Sequence, residues 1–463
     1  MSNVSKNFVY NMIYQLFLFI IPFISTPYIS RVLGVDNIGI YSYTYSIVSY
    51  FMLIAMLGIN NHGARTIAKT QNDKELRSKT FFSIYSIQIT LSVFMILLYL
   101  AFVFICRSEY KLYLTIQGIF LLSSLFDINW FFFGLEKFKV TISRNIIIKT
   151  LSLIMIFFLV RNSGDLWKYC LIMSLSTLIS QMYLWLFLRK EIKKVRISFS
   201  DIKENIKPCV VLFIPVIAYS IYRIMDKTIL GLLATTSELG FYESAEKILN
   251  IPICIYTALG TVMLPYMSKS DFDFEKKINY SFQLCFFTVI PVLIGIFVVS
   301  RDFTIVFFGK DFLKTAYIIR LLIPSILFSS IANVIRTNYL IPKKLDKIYI
   351  YSTLFGALIN LAFNLILIPP FGAFGACIGT IAAEFVVLFY QELKVYKEIP
   401  ITGIIKTLMV FIIKSCIMGI IIYIIGLLFE NLILKLMVQI ISGIIIYLIL
   451  NIKFLKKILL GIN

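Results

Sequence analysis

The sequence predicts an all-α membrane protein with about 14 transmembrane helices and both termini in the cytoplasm. Three observations predict this fold class. Of the 463 residues, 59% are hydrophobic and only 15% are charged, whereas about a quarter of the residues of soluble domains are charged. The apolar residues form runs of about 20, the length that crosses a bilayer core of about 30 Å. The basic residues lie in short clusters between these runs.

The formal net charge of +20 does not indicate a nucleic-acid partner. A nucleic-acid-binding protein would combine such a charge with an ordinary apolar fraction, so the lipid bilayer is the expected partner. The seven cysteines include no C-x-x-C pair, and His62 is the only histidine. We therefore expect no metal site, no catalytic residues and no cofactor.

Fourteen apolar segments are separated by charged or turn residues. The first six are 8–29, 38–60, 81–106, 112–134, 142–160 and 168–188. The other eight are 208–233, 247–267, 278–300, 316–341, 348–369, 373–393, 407–429 and 433–452. The first segment lacks a small-residue cleavage site, so we interpret it as an uncleaved span and not as a signal peptide.

The distribution of basic residues predicts the orientation, because Lys and Arg accumulate in cytoplasmic loops. With the amino terminus inside, 28 basic residues lie on the cytoplasmic side and 10 on the other. The cytoplasmic count includes three from the segment 137–144. This excess favours an even number of spans and places both termini in the cytoplasm.

A weak internal repeat predicts two lobes. Gly39-x-Tyr41 follows the first span and Gly240-x-Tyr242 follows the seventh, 201 residues later. Six spans per copy give parallel repeats related by a pseudo-twofold axis, a geometry typical of transporters, with a central cleft. The predicted divisions are an N-terminal lobe (1–188), a basic cytoplasmic linker (189–207), a C-terminal lobe (208–393) and two additional helices with a tail (394–463).

Charged residues inside the seventh span indicate a cationic site. Arg223, Asp226 and Lys227 follow an i, i+3, i+4 spacing and share one helical face. Ionisable residues at membrane depth usually face a water-filled cavity or a partner. A net positive face suits an anionic ligand, and the planar fork of arginine matches phosphate. The alternative is an Arg-Asp pair that holds neighbouring helices together.

Other polar residues lie within predicted spans. Asn333 and Arg336 belong to a polar stripe on the tenth span, although Arg336 is close enough to the cytoplasmic end to extend its charge into water. Lys149, Lys414 and Asp127 are predicted at shallow depth, where a cavity role and a structural role are equally expected. Glu384 lies deeper, where a carboxylate can exchange a proton or hold a cation, or simply bond to a neighbouring helix.

Three motifs carry a resemblance to a known family. They are Pro27-Tyr28-Ile29-Ser30-Arg31-Val32-Leu33-Gly34, then Asp226-Lys227-Thr228-Ile229-Leu230-Gly231, then Phe371-Gly372-Ala373-Phe374-Gly375-Ala376 leading to Glu384. In this order the chain resembles the polysaccharide flippases of the Wzx type, in the multidrug/oligosaccharidyl-lipid/polysaccharide flippase superfamily.

The resemblance implies twelve core helices in two lobes plus two C-terminal helices. Such flippases move undecaprenyl-pyrophosphate-linked oligosaccharide repeat units across the bacterial plasma (inner) membrane by alternating access, for O-antigen, capsule or exopolysaccharide synthesis. Arg223 looks like the arginine that binds pyrophosphate in related lipid II flippases, and Arg31 matches the first-span motif. A polysaccharide polymerase and a chain-length regulator are implied partners, and H⁺ or Na⁺ coupling through Glu384 and Asp127 is an expectation.

The sequence leaves two alternatives to the flippase function. A multidrug or metabolite exporter of the same superfamily would need acidic cavity residues for organic cations, whereas the balance here is basic. A membrane polysaccharide polymerase or glycosyltransferase would need a sizeable outer loop, and the longest outer stretch is about 301–315. No G-x-x-x-x-G-K-[ST] loop occurs, so we expect a transporter that is not an enzyme and does not hydrolyse ATP itself.

Overall fold

The structure, a computed structural model, describes residues 3–106, 108–267, 274–399 and 401–459. Within these ranges the regular structure is helical, with no β-strand. The all-α fold class is therefore confirmed. The chain divides into two compact units, unit 1 (Met1–Gly231) and unit 2 (Leu232–Asn463). The division into two repeated lobes, 1–188 and 208–393, stays a prediction.

Unit 1 is built from long apolar helices with short helices at their ends. Its helices are α1 (Asn3–Met56), α2 (Ile59–Lys69), α3 (Lys74–Ile105), α4 (Lys111–Phe126), α5 (Asn129–Gly134), α6 (Phe138–Leu159), α7 (Leu166–Glu191) and α8 (Phe199–Leu233). A 3-10 turn, Ser163–Asp165, precedes α7. Helix α8 ends just beyond the boundary of the unit.

Unit 2 continues the same pattern. Its helices are α9 (Thr236–Met267), α10 (Phe274–Phe307), α11 (Leu313–Ile335), α12 (Asp346–Phe371), α13 (Ala373–Val395), α14 (Ile401–Gly426), α15 (Leu432–Leu450) and α16 (Ile452–Leu459). A 3-10 turn, Lys310–Phe312, precedes α11, and a π-turn, Arg336–Leu340, follows it.

Twelve helices of the described chain are long and apolar enough to cross a membrane. Thirteen of the predicted spans fall on these twelve, because the first two predicted spans both lie on one helical stretch that is broken only at Gly34. The remaining predicted span, 208–233, falls on α8, some of whose side chains lie outside the described residues. The chain is thus a multi-pass membrane protein, while the count of fourteen stays a prediction.

Helix α1 contains a break at Gly34. The backbone there has φ 78° and ψ 174°, outside the helical region. Residues with a Cβ atom rarely adopt a positive φ, whereas glycine does so without steric cost. The break falls between the predicted spans 8–29 and 38–60, so Gly34 separates them without a loop.

The predicted linker 189–207 is attached to unit 1. Helix α7 includes its first residues and α8 its last, so only 192–198 is extended. Lys193 donates its backbone N–H to Ser78 Oγ at 2.8 Å. Asp201 pairs with Lys79 at 2.9 Å, and Asn205 Oδ1 lies 2.7 Å from His62 Nε2. These contacts fix the start of α8 to the ends of α2 and α3.

In unit 2, a glutamate organises the turn between α12 and α13. Glu238 Oε2 accepts a hydrogen bond from the Ala373 backbone N–H at 2.9 Å, which satisfies a free donor at the start of α13. Gly372 has φ 57°, and a Cβ atom there would lie 2.5 Å from Glu238 Oε2. Lys314 Nζ lies 2.5 Å from Glu238 Oε1. The glycine therefore leaves room for a carboxylate that links α9, α11 and α13.

Candidate functional site

Helix α8 carries Arg223, Asp226 and Lys227 within about one turn, as their spacing predicts. Asp226 is buried, with 3% of its surface exposed, and the two basic residues are half-buried. Two cations and one carboxylate give the group a net charge of +1. The carboxylate reduces the cost of removing the cations from water. The group can therefore attract an anion, and the guanidinium of Arg223 suits phosphate oxygens.

The residue that follows this group fixes α8 against α1. Thr228 Oγ1 lies 2.9 Å from Ser46 Oγ and 3.4 Å from the Tyr50 hydroxyl. Ile229 and Leu230, the next two residues, are buried. The charged residues are thus carried by a helix whose position relative to the second half of α1 is fixed.

A second polar cluster in unit 1 joins α5, α6 and α7. Arg144 is only 3% exposed, and its Nε and Nη2 donate to Asn145 Oδ1 at 3.1 and 2.8 Å. Gln181 Oε1 accepts from Arg144 Nη1 at 3.4 Å and from Asn129 Nδ2 at 2.9 Å. Asn129 Nδ2 also lies 2.7 Å from Asp127 Oδ1. Side-chain amides therefore connect a buried guanidinium to a carboxylate.

The sequence analysis missed Arg144 because it counted this residue in the cytoplasmic segment 137–144. Helix α6 begins at Phe138, so Arg144 lies in its second turn. A signal was present in the sequence. Asn145, Lys149 and Ser152 follow an i, i+4, i+7 spacing, which marks a polar stripe on an otherwise apolar helix.

Asp127, a predicted ion-coupling residue, lies between α4 and α5. Its Oδ1 accepts from the Asn129 backbone N–H at 3.0 Å. Its backbone carbonyl accepts from Gln88 Nε2 at 2.8 Å. A bond from an aspartate to the N–H two residues later is typical of Asx turns. The carboxylate therefore has a structural task, and its role in ion coupling stays a prediction.

Lys149 lies deeper in its helix than the sequence analysis expected. With a span that begins at 142, Lys149 would be about 10 Å from the start at 1.5 Å per residue. Helix α6 runs over Phe138–Leu159, so Lys149 is halfway along, about 16 Å from either end. The basic residues of 137–144 do not form a loop, because most of them lie in the first two turns of this helix. The depth of Lys149 in the membrane stays a prediction.

In unit 2, Asn333 and Arg336 form one hydrogen-bonded group. Arg336 Nη2 donates to Asn333 Oδ1 at 2.9 Å. The guanidinium lies 5.2 Å from the centre of the Tyr349 ring, and Nη1 lies 3.4 Å from the Tyr349 hydroxyl. Asn333 Nδ2 donates to the Tyr256 carbonyl at 3.2 Å. Arg336 thus joins α11 to α12, and Asn333 joins α11 to α9.

The rest of the predicted polar stripe on α11 also contacts α9. Ser329 Oγ lies 3.0 Å from the Tyr256 hydroxyl, and a Cβ atom at Gly260 would lie 2.9 Å from Thr337 Oγ1. The π-turn that begins at Arg336 is closed by the Ile341 N–H, which donates to the Arg336 carbonyl at 2.9 Å. These contacts give the stripe a packing role, and substrate contact by Asn333 and Arg336 stays a prediction.

The remaining predicted residues lie on separate helices. Glu384 is in α13 and is 8% exposed. Lys414, in α14, donates to Asn451 Oδ1 at 3.1 Å, at the residue that ends α15. Arg31 is exposed on α1, and its Nη1 donates to the Pro27 carbonyl at 3.1 Å. Their roles in substrate binding or ion coupling stay predictions.

The structure brings two sets of the predicted site residues together: Arg223, Asp226 and Lys227 in unit 1, and Asn333 and Arg336 in unit 2. In the part of the chain that the structure describes, no three His, Cys, Asp or Glu side chains are grouped in a way that would hold a metal ion. The basic side chains of these sets can donate hydrogen bonds to an anion.

Two family models each match more than half of the chain. The model of polysaccharide biosynthesis proteins matches residues 4–271, and the model of the lipid II flippase MurJ matches residues 147–443. A curated protein of Shigella dysenteriae, named as a candidate O-antigen transporter, is 23% identical over 380 residues. The alignment covers 81% of this chain and 95% of that protein.

Solved structures of transporters share the fold. The inward closed conformation of lipid II flippase MurJ matches with a TM-score of 0.71 and 18% identity, over 94% of this chain and 99% of that chain. An inward-facing multidrug resistance transporter of the MATE family, in the MOP superfamily, matches with a TM-score of 0.59 and 13% identity. That match covers 84% of this chain and 99% of the transporter. At such identities the likeness concerns the fold.

Proposed function

Because the chain belongs to the polysaccharide biosynthesis protein family and is a Wzx-type flippase of the MOP superfamily, a transporter and not an enzyme, we propose that it moves undecaprenyl-pyrophosphate-linked oligosaccharide repeat units. The direction is from the cytoplasmic to the outer leaflet of the bacterial plasma membrane. The same proposal places both termini in the cytoplasm.

The structural observation that carries the proposal is the cationic group on α8. A pyrophosphate cannot cross hydrocarbon unaided, because removing its charges from water costs many kcal/mol. Arg223 and Lys227 are half-buried on an apolar helix, and their cationic groups can donate charge-assisted hydrogen bonds to phosphate oxygens. The polyprenyl chain is apolar and can remain in lipid while the head group moves along the protein.

We propose an alternating-access cycle in which the outward state binds the lipid more weakly than the inward state. A bias of this kind needs a difference in free energy between the states. H⁺ or Na⁺ binding at Glu384 or Asp127, or consumption of the lipid by a polymerase and its chain-length regulator, would supply that difference.

The function is tested by measuring how fast a labelled undecaprenyl-pyrophosphate oligosaccharide moves from one leaflet to the other in the membrane of proteoliposomes that contain the protein. We expect wild-type protein to move the lipid and Arg223→Ala to be at least about tenfold slower, since a charge-assisted hydrogen bond contributes about 1.5–3 kcal/mol. Arg223→Lys keeps the charge but loses the two-donor fork, so it should be intermediate.

Arg196→Ala is the matched control, because Arg196 is exposed in the extended segment 192–198. It should transport at the wild-type rate. Wild-type vesicles that move no lipid-linked oligosaccharide but accumulate organic cations would contradict the proposal. That result would favour the exporter alternative, which shares the fold.

A further inference from the structure

Lys149 is a lysine at the middle of a membrane-spanning helix. Helix α6, Phe138–Leu159, is among those long and apolar enough to cross a bilayer. Lys149 is halfway along it, about 16 Å from either end. A lysine side chain extends about 6 Å and cannot reach bulk water from this depth by following the helix axis. The ammonium group therefore needs another polar environment.

The lysine does not point to the lipid. Most of the exposed apolar side chains of α6 form one stripe of Ile147, Leu151, Ile154, Met155 and Phe158, which are 45–67% exposed; Leu159, the last residue of the helix, is exposed beside it. At 100° per residue, Lys149 lies on the opposite side of the helix from this stripe. Its own side carries Asn145, Ser152 and Ile156, and the last two are only 8% and 3% exposed.

Within the described parts of the chain, nothing donates to, accepts from or forms an ion pair with the ammonium of Lys149. The hydrogen bond at this residue is made by its backbone carbonyl, which accepts from Ser152 Oγ at 2.9 Å. By contrast, Asn145, one turn earlier on the same side, accepts from Arg144 and lies 3.4 Å from Ser180 Oγ of α7.

Lys149 nevertheless stays half-buried, whereas Ser152 and Ile156 are closed off. A half-accessible cation on the inward side of the helix requires space beside it that admits water or a ligand. An uncompensated charge at this depth costs several kcal/mol. This arrangement destabilises the fold, which is typical of residues placed for binding.

We propose that Lys149 binds an anionic group of the transported lipid at mid-membrane, so that unit 1 supplies a second anion ligand, on α6, in addition to the group on α8. The inference rests on the proposed function. An ammonium is a point charge with three donors and no fork. It suits one oxyanion, either a phosphate of the pyrophosphate or the carboxylate of an acidic sugar.

The binding affinities of three probes distinguish a phosphate of the pyrophosphate from the carboxylate of an acidic sugar as the group that Lys149 binds. The probes are undecaprenyl pyrophosphate without a glycan, the same lipid with a neutral oligosaccharide, and the same lipid with a uronic-acid-containing oligosaccharide. Each is titrated into detergent-solubilised full-length protein, wild type and Lys149→Met. Loss of one charge-assisted hydrogen bond should weaken binding at least about tenfold.

Weaker binding of all three probes by Lys149→Met assigns the lysine to the pyrophosphate. Weaker binding of only the acidic probe assigns it to the sugar carboxylate. Equal binding of every probe by Lys149→Met and wild type overturns the inference. If wild type binds none of the probes, the proposed function itself has failed, and the inference fails with it.

Two further variants separate binding from folding. Lys139→Met removes a lysine from the same helix at an exposed position and should bind all probes as wild type does. Lys149→Arg keeps a cation and should retain most of the affinity. Equal loss in Lys149→Arg and Lys149→Met, with loss in Lys139→Met as well, would indicate general damage to α6 and overturn the inference.

Discussion

Arg336 in unit 2 and Lys149 in unit 1 are both cations in apolar helical segments, yet their surroundings differ. Arg336 donates to Asn333 and lies over the Tyr349 ring. Lys149 has no such partner among the residues that the structure describes, although it lies on the inward side of α6. The difference teaches that cations in apolar helices need not share one role: the contacts of Arg336 join neighbouring helices, whereas we propose that Lys149 is available to a ligand.

The largest expected effect is that of Arg336→Met. The substitution leaves Asn333 Oδ1 buried without this donor and removes the contact of the guanidinium with Tyr349 of α12. We expect the free energy of unfolding to fall by about 2 kcal/mol or more. Urea unfolding of the solubilised protein measures it, with Arg196→Met as the exposed control. An unchanged free energy would show that Arg336 does not serve the fold, and the comparison would fail.

Lys149→Met should raise the free energy of unfolding, whereas Arg336→Met lowers it. Methionine has a similar length and no charge, so it removes an uncompensated cation from the inward side of α6. We expect the free energy of unfolding to rise by about 1 kcal/mol, as in other replacements of functional polar residues by apolar ones. The same urea titration measures it. A clear decrease would mean that Lys149 has a stabilising partner.

Lys414→Met tests the intermediate case. Lys414 also lies within an apolar helix, but it donates to the neutral amide of Asn451 at the end of α15. One hydrogen bond of this kind contributes about 1 kcal/mol, and the loss of a partly buried charge offsets part of it. We expect a decrease below about 1 kcal/mol. A change as large as that of Arg336→Met would break the proposed ranking.

The smallest effect concerns an exposed pair at the start of α8. The Ser198 backbone N–H and the Lys79 ammonium hold the pKa of Asp201 below its ordinary value. A lowered pKa stabilises the fold above the ordinary value of about 3.9, and the contribution is lost as pH falls through the folded pKa. Asp201→Asn should therefore melt slightly below wild type at pH 7, with a smaller difference at pH 3. A difference that grows at pH 3 would contradict this assignment.

Much of the fold could be predicted from the sequence because membrane helices are apolar along their whole length. The apolar runs and the charged or turn residues between them located most of the long helices, often within a few residues. The shared face of Arg223, Asp226 and Lys227 could be predicted because it depends only on the period of a single helix and not on how that helix packs. The resemblance to Wzx-type flippases is confirmed by the family match.

The environments of single charges could not be predicted in the same way. The role of Arg336 depends on Tyr349 and, through Asn333, on Tyr256, which is far away in sequence on α9. Arg144 was counted in a loop although it lies in α6, because a helix can begin inside a basic segment and its start could not be predicted from charge alone. Such positions are set by the packing of neighbouring helices.

The most direct test of the comparison is the melting temperature of wild type and Lys149→Met, each with and without undecaprenyl-pyrophosphate oligosaccharide that carries an acidic sugar. A ligand that binds the folded state stabilises it by RT ln(1 + [L]/Kd), so at one ligand concentration tighter binding raises the melting temperature more. We predict that Lys149→Met melts higher than wild type without ligand and gains less when the ligand is added. A variant that melts lower alone and gains as much as wild type would contradict the account.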